Sequence, residues 1–222
     1  MATLTESKRV VSPAEQRIVL RGIDWATYEA LAEQVMRSGQ PIRMAYNRGD
    51  LELMSPGPLH ERYKKLLSRL FEEVLIELDL PFEPSGETRW MKDEAERGLE
   101  PDDCYFLTAE KLAIVQGRAP DRPGDPYPDL AIEVELSHWD IDKMAIYAEL
   151  GIPEVWRYDG ADCTIHRLRA DGTYEKRSDS LFLPLTPEDV NRWIGRSSGQ
   201  DAKTWSKQVR AWVRDELARR PR

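Results

Sequence analysis

The stretch Pro128–Asp159, PDLAIEVELSHWDIDKMAIYAELGIPEVWRYD, decides the fold. A Pro-Asp pair opens a short apolar run in which Leu130, Ile132, Val134 and Leu136 alternate with Asp129, Glu133 and Glu135. A period of two marks a strand. The spacing then predicts a helix over about Asp140 to Leu150, ended by Gly151 and kept from continuing by Pro153. Glu154 to Tyr158 reads as the next strand. Such a strand-helix-strand unit is consistent with parallel pairing and a right-handed crossover. Carboxylates set into an apolar strand are costly unless a metal or a cation pairs with them. Two acids and Lys143 around one strand are the ingredients of metal-assisted phosphodiester cleavage.

Working outward, residues 1 to 16 read as a flexible arm, residues 17 to 178 as one domain, and 179 to 222 as a C-terminal helical extension. Arg17 to Arg21 suits a short strand. Asp24 is a helix N-cap, with Trp25, Tyr28, Leu31, Ala32 and Val35 on one face. Strands at Ile42 to Tyr46 and Asp50 to Met54 flank the turn Asn47-Arg48-Gly49. After Ser55-Pro56-Gly57-Pro58, residues Tyr63, Leu66, Leu67, Leu70, Phe71, Val74, Leu75 and Leu78 keep a helical rhythm over five turns. His60 shares that face and Glu61 flanks it. Further strands are predicted at Pro84 to Met91 and Asp102 to Leu107, and a short helix at Thr108 to Gln116. A hairpin turns at Asp171-Gly172, and two helices, near 187 to 195 and 201 to 219, follow. The sum is a mixed sheet flanked by helices, an α/β or α+β domain.

Composition narrows the function class. The 222 residues carry 41% hydrophobic residues, enough for a real core, and no run approaches a membrane span. Two cysteines exclude a disulfide scaffold or a cysteine zinc site. The first residues, MATLTESKRVVSPAEQ, hold no apolar h-region, so cytoplasm is the expected compartment. The net charge of -8 argues against a nucleic-acid partner. The charge is uneven, however. Arg62, Lys64, Lys65 and Arg69 cluster on one helix, and seven Lys or Arg fall between Lys203 and Arg222. Solvated helix faces are the plainer reading of both runs; contact with a nucleic-acid backbone is the sharper one.

Asp102 lies in GLEPDDCYFL, a second Pro-Asp entering an apolar strand. If its strand neighbours that of Glu133, the two carboxylates face each other, and a divalent cation resolves their repulsion. Lys143, early in the following helix, is placed to orient a water or offset charge on a phosphate. Taken singly these signals are weak. Pro-Asp is common turn chemistry, so Asp129 reads as structural. Glu135 shares a side with Glu133 and is either a second ligand or an edge residue. His60 on an apolar face is more often a hydrogen-bonded core histidine than a catalyst. Trp139 and Trp156 read as core aromatics.

The blocks PDLAIEVELS, Lys143 and YAELGIPEVWRYDG resemble the Uma family of bacterial restriction-endonuclease-like proteins. ELMSPGPLHER, GLEPDDCYFL and RGIDWATYEAL resemble its other blocks in the right order, so the resemblance spans about residues 17 to 178. It implies the PD-(D/E)xK nuclease fold, with Asp102 and Glu133 holding Mg2+ or Mn2+. The lysine usual two residues after the glutamate is replaced here by Glu135, and its role maps onto Lys143. Glu61 maps onto the additional helix acid of such nucleases. The implied activity is metal-dependent hydrolysis of nucleic acid, DNA foremost; a homodimer would suit cleavage of both strands. The alternatives are an inactive module of the same fold that binds nucleic acid or a protein, and a metal-free glycoside hydrolase using the same two acids.

Overall fold

The structure, a computed structural model, describes residues 15–120, 122, 124–138 and 140–220. Most of the expected arm and Trp139 lie outside the described residues. The chain opens with β1 (Gln16–Arg21) and α1 (Trp25–Ser38). It continues through β2 (Arg43–Asn47), β3 (Asp50–Ser55) and α2 (Pro58–Glu77). Four short strands follow, β4 (Glu83–Pro84), β5 (Trp90–Lys92), β6 (Arg97–Leu99) and β7 (Asp103–Phe106), and then α3 (Ala109–Val115). Next come β8 (Leu130–Val134), α4 (Lys143–Leu150) and β9 (Glu154–Tyr158). The hairpin β10 (Cys163–Leu168) and β11 (Tyr174–Arg177) leads to α5 (Pro187–Arg196) and α6 (Ala202–Asp215).

Two sheets share the strands. One has the order β1-β3-β2-β6-β5, the other β11-β10-β9-β8-β7-β4. In the second, β8 and β9 pair parallel around α4, and every other pair is antiparallel. It is therefore the mixed sheet expected from the strand-helix-strand unit. The β2–β3 hairpin turns on Arg48 and Gly49, both left-handed (φ 49° and 101°). It recruits β1 and β6 into a separate antiparallel sheet.

Alternation along β8 sets which side of the mixed sheet each residue serves. Leu130, Ile132 and Val134 pack with Leu67, Phe71 and Val74 of α2 and with Trp193, Trp205 and Val209 of α5 and α6. Ala131 turns the other way, toward Ile146 and Tyr147 of α4 and toward Ala45 and Leu99 of the antiparallel sheet. A third cluster joins Tyr28 and Ala32 of α1 to Met44, Tyr46 and Leu51. The face opened by Ala131 thus lies where the two sheets meet.

Two local expectations change, and one strand, β6, had no counterpart in the sequence reading. Pro84 to Met91 is not one strand: Gly86 is left-handed (φ 56°), a turn closes between Ser85 and Thr88, and the halves join different sheets. β6 is three residues long, too short for a period to show. α4 starts at Lys143 rather than Asp140, because Asp142 caps it by accepting from Ala145 N at 3.0 Å.

Glu154, wholly buried at the start of β9, ties the sheet to the approach to α5. Its carboxylate accepts from Trp156 Nε1 (2.7 Å), Ser180 Oγ (2.6 Å) and Leu181 N (2.5 Å). Burial pushes its pKa up against the pull of these donors. A carboxyl raised above its unfolded value contributes stability that is fully present below that value, near 4.5. The contribution is lost as pH rises through the folded pKa. Glu154→Gln should therefore vary less in stability than wild type as pH rises from about 4.5, measured by urea unfolding at a series of pH values. Identical slopes for both proteins would remove Glu154 as a source of the pH dependence.

Candidate active site

Glu133 takes the same side of β8 as Ala131 because of the period of two. The antiparallel register of β7 and β8 pairs Asp103 with Ile132, and one further step sets Asp102 across from Glu133. Both acids are buried, 1% and 2% exposed. Asp103 turns to the opposite face, where its Oδ2 accepts from Tyr105 OH at 2.7 Å. Asp102 Oδ2 accepts from the backbone N of Val134 at 2.6 Å, which pins it to the strand carrying Glu133.

Cations reach this pair from three directions. Lys143, the first residue of α4, puts Nζ 3.6 Å from Glu133 Oε2 and 3.7 Å from Glu52 Oε1. One helical turn on, the Tyr147 hydroxyl donates to Glu133 Oε1. Arg43 of β2 approaches Asp102 Oδ1 at 3.2 Å, and His60 of α2 brings Nε2 to 3.1 Å from Asp102 Oδ2. Lys143 is 4% exposed and His60 is wholly buried.

The two acids titrate in opposite senses. Burial opposes ionisation of Asp102, but the neighbouring His60 and the Arg43 charge outweigh it and hold its carboxyl below the usual range. Burial pushes Glu133 up, with the Asp102 charge adding to it and Lys143 opposing. Burial lowers the pKa of His60, yet Asp102 and Glu15 prevail and leave it raised. The two carboxyls of the pair are thus pushed in opposite directions, a pattern that clusters at functional sites.

Of the four residues singled out from sequence, Asp102, Glu133 and Lys143 converge. Glu61 reaches them only through intermediaries. Its side chain is 40% exposed, 3.3 Å from Arg43 and 3.6 Å from His60 Nδ1. Glu135 turns along the sheet to pair with Arg157. Asp129 is structural: it accepts from Leu107 N, Thr108 N and Thr108 Oγ1 and pairs with Lys111 at 2.7 Å, holding the start of α3.

Residues not singled out from sequence complete the site. Glu52 of β3 is 1% exposed; it pairs with Arg17 at 2.8 Å and accepts from Asp140 N at 3.3 Å. Its signal was present, since Asp50-Leu51-Glu52-Leu53-Met54 sets an acid into an apolar strand just as Glu133 is set. Tyr147 had one too, lying four residues after Lys143 on the same helix. Arg43 and Arg17 had none, because nothing local aims a strand arginine at a distant acid. Glu15 closes the rim, accepting from Ser137 Oγ at 2.7 Å, with its other oxygen 3.8 Å from His60.

The donor set suits a hard divalent cation. Asp102 Oδ1 is buried without a hydrogen bond, and both ring nitrogens of His60 lack one. Among the described residues no group of three or more His, Cys, Asp or Glu forms a cage. Mg2+ asks for less, one or two carboxylates with waters and substrate oxygens completing its shell. Asp102 and Glu133 are two carboxylates of that kind.

A mixed sheet flanked by helices, with an opposed acid pair and a lysine at its centre, is a restriction-endonuclease-like architecture. The model of the Uma2 family, described as "Putative restriction endonuclease", matches residues 25–191, more than half of the chain, and the protein belongs to that family. Among curated proteins none matches the chain. No helix among the described residues is long and apolar enough to cross a membrane.

Proposed function

We propose that the protein is a divalent-cation-dependent endonuclease hydrolysing phosphodiester bonds of nucleic acid, DNA foremost. The reading rests on the convergence of Asp102, just before β7, with Glu133 of β8 and Lys143 of α4 on one buried point. Membership of a family described as a restriction endonuclease supports it. Mg2+ or Mn2+, held by Asp102 and Glu133, would supply Lewis acidity toward a phosphoryl oxygen and a more acidic water. The chain's own residues arrange the rest. Val134 N and the Tyr147 hydroxyl each hold one oxygen of the pair, and Arg43 and Lys143 face the other two. Lys143 stands beside Glu133 to offset charge that builds on the phosphate in the transition state. Glu61 stands at the mouth and holds Arg43. A cytoplasmic homodimer is the setting we propose, since two copies suit cleavage of both strands.

A second reading, an inactive module that binds nucleic acid or a protein, is favoured by one observation: Arg43 and Lys143 already neutralise the acids. Two measurements separate the readings. Mg2+ or Mn2+ should raise the melting temperature of wild type by binding the native state, and Asp102→Asn combined with Glu133→Gln should abolish the shift. An equal shift in the double variant removes these acids as ligands. Wild type with Mn2+ should cleave plasmid or single-stranded DNA, and no cleavage of DNA or RNA leaves the module reading standing.

A further inference from the structure

Outside the acid pair the surface carries a groove with an unusual charge arrangement. Two cavities, about 570 and 560 Å³, lie side by side and share Glu87 as a wall. Arg43 lines the first and Lys64 the second, and each is only 7% exposed. These buried cations are covered by exposed acids. Glu87 pairs with both, at 2.7 Å from Arg43, and Glu61 lies 3.3 Å from Arg43 and 3.9 Å from Lys64. The acid side chains are 49% and 40% exposed. Buried cations beneath mobile-length, solvent-facing carboxylates can exchange those anions for others with little loss, because the carboxylates regain water.

The groove continues along α2. Lys65 and Arg69 lie one and two turns beyond Glu61 on the same side, both exposed, and line the second cavity. From Glu61 to Arg69 the helix rises roughly 12 Å, the length of three or four phosphates of a stacked strand. The other acids on that wall, Asp103 and Glu72, share one donor, the Tyr105 hydroxyl, at 2.7 and 3.3 Å. At its inner end the groove reaches the candidate site, where Arg43 touches Asp102.

We propose that this groove is the track of the polynucleotide backbone. Substrate phosphates take the places of the Glu61 and Glu87 carboxylates on Arg43 and Lys64, and Lys65 and Arg69 hold the phosphates that follow. The identity of the ligand rests on the nuclease reading; the location rests on charge and continuity with the acid pair. Arg43 thereby has two roles: it neutralises Asp102 in the free protein and receives phosphate next to it when substrate is bound.

The test is binding of a fluorescent single-stranded oligodeoxynucleotide in EDTA, across a salt series, with no cleavage required. Lys65→Ala with Arg69→Ala removes two exposed side chains, so the fold should persist. Binding should weaken, and the slope of log affinity against log salt should fall by about 1.4, roughly 0.7 for each lost phosphate contact on a single strand. Glu87→Gln should bind more tightly than wild type, the opposite of what damage to the fold would do. Lys203→Ala with Lys207→Ala makes the same charge change on α6 and should bind as wild type does. Unchanged affinity in the α2 variant overturns the proposal, as does an equal loss in the α6 variant, and either leaves the nuclease reading intact. Failure of wild type to bind the oligonucleotide at low salt overturns the proposed track, while the nuclease reading stands or falls on Mn2+-dependent cleavage.

Discussion

Replacing Lys143 by methionine should lower Mn2+-dependent cleavage by roughly 10² or more, the scale of one lost transition-state charge contact. It should also destabilise the protein. As a first-turn helix residue read from sequence, this lysine is expected to contribute little to stability. The structure overturns that expectation, because Lys143 is 4% exposed and sits between Glu52 and Glu133. Removing one partner of a buried ion pair costs up to about 3–5 kcal/mol; Arg17 still pairs with Glu52 and Tyr147 still donates to Glu133, so the cost here falls below that range. Activity and stability must therefore be read separately. Adding Glu52→Gln to Lys143→Met should recover part of the melting temperature and none of the cleavage. Cleavage by Lys143→Met within a fewfold of wild type would remove the lysine from the chemical step.

Ending the chain after Gln200 should abolish cooperative unfolding altogether. We propose that residues 15–220 fold as one unit, with α6 an integral wall of the core beside α2. Trp205, Val209, Val213 and Leu217 are each at most 1% exposed and belong to the same cluster as Ile132 and Val134 of the central strand. Trp205 Nε1 donates to Trp193 O at 2.8 Å, joining α6 to α5. Trp205→Ala alone should cost about 3–5 kcal/mol, a large part of the roughly 5–15 kcal/mol that holds a typical domain folded. The basic residues of this segment have a structural use as well. Arg210 pairs with Glu73, Arg214 with Glu77 at 2.7 Å, and Arg220 with Asp189. A truncated chain that melts within a few degrees of the full one would show that α6 is dispensable, and would reopen its cations to a nucleic-acid role.

What could be read along the chain is what local physics encodes. Alternation in PDLAIEVEL specifies a strand, Gly151 and Pro153 specify a helix end, and Asp24 specifies a helix start, where its side chain accepts from Thr27 N at 2.8 Å. Each signal lies within a few residues of the structure it causes. The acids Asp102 and Glu133 were legible for the same reason, since a carboxylate in an apolar run is anomalous wherever the strand goes. Glu52 carried the same anomaly in a hairpin that nothing local links to the other strands.

The sequence by itself therefore determined the mixed sheet around the strand-helix-strand unit, the long buried face of α2, and the acids and lysine of the candidate site. Only the tertiary structure decided that the hairpin builds a second sheet and that Lys143 is buried between acids from both sheets. It also decided that Arg43 and His60 converge on Asp102, and that the C-terminal helix walls the core. These depend on strand register and on packing between segments tens of residues apart. A buried charge has no partner until the fold supplies one, and no local window of the chain contains that partner.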